Sequence, residues 1–174
     1  MWDAVPESCD VAPDHVIGQP DFVTGDWGTS STRFSYPESF TIAVGRLIVA
    51  DTDNSRVLIW NSVPTEIDTP ADLVLGQADM NAGGSNGGGA AAANTFYYPS
   101  DVWSDGTRLV VTDQSNHRVL IWNAFPTADN QPADVVLGQP DFLTTANGLG
   151  ASSLYYPYSV FSNGNQLFVA DSDN

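Results

Sequence analysis

With 174 residues, 42% of them hydrophobic and 11% aromatic, the chain is long enough to bury one ordinary core. Its charge is lopsided: five basic residues, all arginine, face 21 acidic ones for a net charge of -16, which repels nucleic-acid phosphates and anionic membranes and favours cationic partners. The lone Cys9 excludes an intrachain disulfide framework, and no run approaches the roughly 20 apolar residues of a membrane-spanning helix.

The N-terminus, Met1 to Pro6, lacks the basic stretch and apolar core of a signal peptide. Trp2 and Pro6 open a frame that recurs as Trp60 and Pro64, then Trp122 and Pro126. Within it, His15-Val16-Ile17-Gly18-Gln19-Pro20-Asp21-Phe22 is matched by Leu73 to Met80 and by Val135 to Phe142. Tyr36-Pro37 returns as Tyr98-Pro99 and Tyr156-Pro157, and Leu47-Ile48-Val49-Ala50-Asp51 as Leu109 to Asp113 and Leu167 to Asp171. Trp60 follows Trp2 by 58 residues and Trp122 follows Trp60 by 62, and the difference falls in one place. Phe22 to Tyr36 and Phe142 to Tyr156 each span 14 positions, but Met80 to Tyr98 spans 18. A four-residue insertion therefore sits in the Gly/Ala-rich stretch Asn81 to Ala90, confined to one loop as repeat scaffolds tolerate.

Each repeat reads as short strands. Asp101 to Ser104 and Tyr158 to Phe161 lead into Asp105-Gly106 and Asn163-Gly164, both hairpin turn signals. Leu109 to Val111 and Leu167 to Val169 are continuous β-formers suited to strands buried on both faces. Arg56 to Trp60 and Arg118 to Trp122 supply a third strand, and the Val-Leu-Gly-Gln block a fourth. No helical periodicity of useful length appears. Four strands per unit, repeated, predict an all-β propeller segment of about three four-stranded blades in one unit, 1–174, with repeats at approximately 2–59, 60–121 and an incomplete 122–174.

Asp51 with Arg56, and Asp113 with Arg118, recur five residues apart around Asn54 and Asn116. In every repeat this spacing suits a carboxylate locking a tight turn by bonding to its amides and to the arginine. A weaker alternative is Ca²⁺ held by Asp51, Asp53, Asp113, Asp171 and Asp173. Gly76-Gln77 and Gly138-Gln139 lack the lysine and spacing of a phosphate loop, and fit a bulge or close packing with the glutamine bonding backbone. His15 and His117 form no zinc trio, and nothing pairs as a nucleophile with a base, so no catalytic residue and no cofactor is expected. Trp27 and Tyr97, in or beside variable loops, are the candidate ligand contacts.

The run Asp113-Gln114-Ser115-Asn116-His117-Arg118-Val119 resembles the NHL repeat signature, and Pro132 to Phe142 resembles tracts of a subfamily found in bacterial exported and surface proteins. The resemblance spans nearly the whole chain. It implies a six-bladed ring, of which three repeats are half, and an extracytoplasmic setting, either extracellular, periplasmic or on the cell surface. An isolated half would expose strand edges and apolar flanks. The expected partners are therefore another copy or adjoining blades, together with a protein or glycan ligand, with no nucleic acid and no membrane insertion. The expected function is a non-enzymatic repeat scaffold. The alternative is part of a propeller-type lyase whose metal ligands lie outside this segment.

Overall fold

The computed structural model describes all 174 residues. Ten strands form three antiparallel sheets. The first is β1 (Pro37–Ala43), β2 (Arg46–Asp51), β3 (Arg56–Trp60) and β4 (Leu73–Leu75). β5 (Pro99–Ser104), β6 (Leu109–Asp113), β7 (Arg118–Trp122) and β8 (Val135–Leu137) form the second, and β9 (Pro157–Ser162) with β10 (Leu167–Asp171) the third. Every strand pairs with its neighbour in the chain, so each sheet is a meander. The protein is all-β, with helical structure limited to two short 3-10 turns at Ser85–Gly88 and Gln114–Asn116.

The sheets are phased differently from the tryptophan frames. Trp60 and Trp122 end the third strand of a sheet, whereas each sheet begins at the Tyr-Pro pair. A frame beginning at Trp60 thus finishes one sheet and starts the next. His15-Val16-Ile17 aligns with β4 and β8 but forms no strand, because residues 1–36 contain no third strand against which it could pair. One local device survives there. The Trp2 indole N–H donates to the Val11 carbonyl at 2.9 Å, as Trp60 does to Thr69 and Trp122 to Gln131, both at 3.1 Å and all nine residues on.

Alternation along the strands builds two seams between sheets. Ile48, Ala50, Val57, Ile59 and Leu75 of the first sheet meet Val102, Leu109, Val111, Leu120 and Trp122 of the second, with Phe96 filling the gap. Val110 and Val119, on the opposite face of the second sheet, meet Val160 of the third. On the first sheet's outer face, Leu47, Val49, Leu58, Trp60 and Val74 are covered by Ile17, Phe34, Val63 and Met80. The expected burial on both faces holds for Leu109 to Val111, but not for Leu167 to Val169. Phe168 is 51% exposed although its counterparts Ile48 and Val110 are buried, because no further sheet lies on that side of β9–β10. Phe40 is likewise 67% exposed where Val102 and Val160 are buried.

The Gly-Gln pairs turn the chain after the fourth strand. Gly18, Gly76 and Gly138 all have φ near +87°, the left-handed region open mainly to glycine. A Cβ on Gly76 would also lie 2.2 Å from the Phe96 ring and 2.9 Å from the Ser55 carbonyl oxygen. The next side chain ties this turn to the β2–β3 turn. The Gln77 amide donates to the carbonyls of Asn54, Ser55 and Gly84, and Gln139 to those of Asn116, His117 and Ala146. Gly76→Ala is therefore expected to lower stability by about 2–3 kcal/mol, combining left-handed strain with overpacking. Gly164→Ala, at φ +94° with nothing within 4 Å of its Cβ, meets the strain alone and loses roughly 1 kcal/mol. Urea titration of both variants checks this, and equal losses would remove the packing role given to Gly76.

Candidate functional site

The β2–β3 and β6–β7 turns are closed by the same buried cradle. One oxygen of Asp113 accepts the Tyr97 N–H at 2.7 Å. The other accepts the Asn116 side-chain amide at 2.8 Å and Arg118 Nε at 2.7 Å. Asp51 repeats this with Ser35, Asn54 and Arg56. The remaining guanidinium nitrogens reach backbone carbonyls: Ala92, Thr95 and Phe142 for Arg118, and Ser30, Arg33 and Met80 for Arg56. Both ion pairs are fully buried. Burial pushes the two carboxyls up from the ordinary value, while the guanidinium and the turn donors pull them back. Asp171 holds the same pose, accepting the Tyr155 N–H at 2.7 Å and the Asn174 amide at 2.6 Å, with no arginine beside it.

The acids considered for Ca²⁺ are thus spread over three turns. Asp51 and Asp113 are spent on protein donors, while Asp53 and Asp173 sit exposed in separate turns. No three His, Cys, Asp or Glu side chains gather at one point.

The same end of the sheets carries a rim of aromatic rings. Tyr36, Tyr98 and Tyr156 have φ of 54°, 53° and 52°, a backbone state that is rare for so large a residue and costs on the order of 1–3 kcal/mol. Cross-seam bonds hold two of them. The Tyr98 N–H donates to Ser55 Oγ at 3.4 Å and the Tyr156 N–H to His117 Nδ1 at 3.2 Å. Tyr97 packs on Tyr98 at 4.9 Å between ring centroids with the two planes tilted, Tyr155 stacks on Tyr156 at 5.3 Å, and the His117 ring stands edge-on to both Tyr155 and Tyr156. Burial lowers the His117 pKa, against the raising influence of Asp171 and Asp173, which favours the neutral ring, the form able to accept that bond. The rim offers aromatic faces beside carboxylates, a chemistry suited to stacking and to polar or cationic groups. Of the two contacts expected from sequence, Tyr97 belongs to this rim. Trp27 is 84% exposed and has no ring partner.

Sequence reasoning passed over Asp101. Its carboxylate links all three sheets: one oxygen takes Ser39 Oγ–H and the Val102 N–H, the other takes Ser159 Oγ–H and the Val160 N–H. A signal was present, since Ser39 and Ser159 occupy the same repeat position. Thr52 Oγ–H to the Pro99 carbonyl and Ser100 Oγ–H to that of Tyr158 bridge the same seams.

Compared with known proteins, the chain matches no family model and no curated protein. Its own residues define an all-β protein of antiparallel sheets, two of them four-stranded, stacked through apolar seams and closed by buried Asp–Arg pairs. No helix is long and apolar enough to cross a membrane.

Proposed function

We propose that the sheets are blades of an NHL-type propeller segment, half of a six-bladed ring, and that the protein is a non-enzymatic scaffold. In this reading a second copy, or adjoining blades of a longer chain, completes the ring, and the tyrosine rim presents a protein or glycan site in an extracytoplasmic setting. The carrying observation is that Phe40 and Phe168, on the two outer flanks, occupy positions buried in the other copies of the repeat. Covering each ring fully is worth about 2–3 kcal/mol. The flanks differ in residue and shape, so the pairing they favour is head-to-tail, with β9–β10 of one copy against the first sheet of the other.

Light scattering coupled to size exclusion tests this reading. The expected mass is twice 18.6 kDa, and Phe168→Asp or Phe40→Asp is expected to return the chain to monomer. A wild-type monomer at micromolar concentration defeats the self-completing ring.

A further inference from the structure

Arg46 carries the one guanidinium of the chain that no carboxylate neutralises, since Arg33, Arg56, Arg108 and Arg118 are each ion-paired. The repeat supplies the comparison. Arg108 holds the equivalent place, beside β6. It is paired with Asp105 of its own hairpin at 2.7 Å and also reaches the Gly164 carbonyl of the next hairpin. Arg46 keeps the second contact, donating from Nη1 to the Gly106 carbonyl at 3.3 Å, but Ala43 stands in the place of Asp105. Its guanidinium lies 4.4 Å over the Phe125 ring instead, and Nε and Nη2 have no hydrogen-bond partner in the chain. A ring face offsets a charge only weakly, so those donors remain available to a ligand.

This side chain lines a cleft of about 570 Å³ between the first and second sheets, at the strand ends away from the tyrosine rim. Every lining residue falls between Arg46 and Thr127, within the two four-stranded sheets and their connections. Asp72 lies in the same cleft. One of its oxygens accepts the Asn61 N–H at 2.7 Å, the other accepts no hydrogen bond, and no arginine pairs with it. Leu73 and Phe125 supply apolar walls. A cation and an anion thus share one cleft without pairing. A simple anion would be opposed by the net charge of -16, and a simple cation by Arg46 itself. A small zwitterion meets neither obstacle.

We infer that this cleft binds a free α-amino acid with an apolar side chain. The ligand's carboxylate takes Nε and Nη2 of Arg46, its ammonium takes the unbonded oxygen of Asp72, and its side chain lies against Leu73 and Phe125. Two charged contacts at separate points select for both ends of the ligand at once. The inference is independent of ring completion and of the tyrosine rim.

The test is a titration of the full chain with L-leucine, followed by amide NMR shifts. The expected dissociation constant is on the order of 1 mM, with the shifts centred on Asn61, Leu73 and Thr127. N-acetyl-L-leucine, which lacks the ammonium, and L-leucinamide, which lacks the carboxylate, are each expected to bind about tenfold more weakly. Arg46→Met and Asp72→Asn are expected to weaken L-leucine by a similar factor, whereas Arg108→Met leaves it unchanged. No saturable binding of L-leucine, equal affinity for either derivative, or wild-type binding by Arg46→Met overturns the inference. The comparison of ligands is read on the wild-type chain, so it decides the matter even where a variant folds poorly. A dimer that ignores L-leucine defeats this inference alone, and a monomer that binds it defeats the self-completing ring alone.

Discussion

Arg118→Met is expected to destabilise the protein by about 3–5 kcal/mol, the cost of leaving one charge of a buried pair without its partner. Arg118 and Asp113 are both inaccessible to solvent, so water cannot replace the lost donor. The variant also strands the carbonyls of Ala92, Thr95 and Phe142, which the guanidinium now satisfies. For that reason the double variant Asp113→Leu/Arg118→Met is not expected to recover the wild-type value, although apolar replacement of a buried pair is often harmless elsewhere. It would orphan the Tyr97 N–H and the Asn116 amide as well.

The deficit of Arg118→Met should depend on pH in a defined direction. Burial already pushes the Asp113 carboxyl up, and losing the guanidinium removes the main opposing influence. A carboxyl whose folded pKa exceeds its unfolded pKa costs stability as the pH rises through that interval, and costs nothing below it. The gap between variant and wild type should therefore narrow as the pH is lowered from about 7 towards about 4. Arg108→Met breaks the Asp105 pair, which is part-exposed, and is expected to cost no more than ~1 kcal/mol. Urea titrations at the two pH values separate these outcomes. A loss under 1 kcal/mol for Arg118→Met would mean that the cradle does not hold the turn.

Much of this architecture is legible in the sequence because its units repeat. Each strand of the second sheet lies where the recurring blocks place it, and the Asp–Arg pairs close the turns at the expected five-residue spacing. The strand order within each sheet is legible as well, with Arg56 to Trp60 and Arg118 to Trp122 third, although repeats counted from tryptophan cut across the sheets. Tryptophan is the most visible mark of the repeat, yet it ends a strand, while the sheet begins at a tyrosine forced into the left-handed region. The first hairpin also escaped notice, since Val44-Gly45 carries positive φ at both residues without an Asn or Asp to announce it.

The four-residue insertion was visible, but its consequence was not. It brings Asn86 to face Asn116, and the two side-chain amides bond reciprocally where Thr29 and Gly28 serve Asn54 in the preceding repeat. Asp101 was hidden for another reason. Its role depends on three first strands standing side by side, a property of the packed sheets that no single repeat displays.

Trp122→Ala should cost about 3–5 kcal/mol, and Trp2→Ala well under half of that. The two indoles share a repeat position and the same N–H bond to the carbonyl nine residues on. Any difference between them therefore comes from what lies against the ring. Trp122 is fully buried between the first and second sheets, with Phe96 at 6.1 Å. Trp2 is 45% exposed and lines an open apolar hollow with Val16, Phe40 and Val49, so its removal leaves little new void. Paired calorimetric scans read the comparison, and equal losses would show that the N-terminal segment is packed as firmly as the inner sheets. If the flank of the first sheet is where a second copy seats, the Trp2 variant should acquire its larger penalty only as protein concentration rises, because the ring is then buried by the partner. A Trp2→Ala deficit that is independent of concentration would place that seat elsewhere on the molecule.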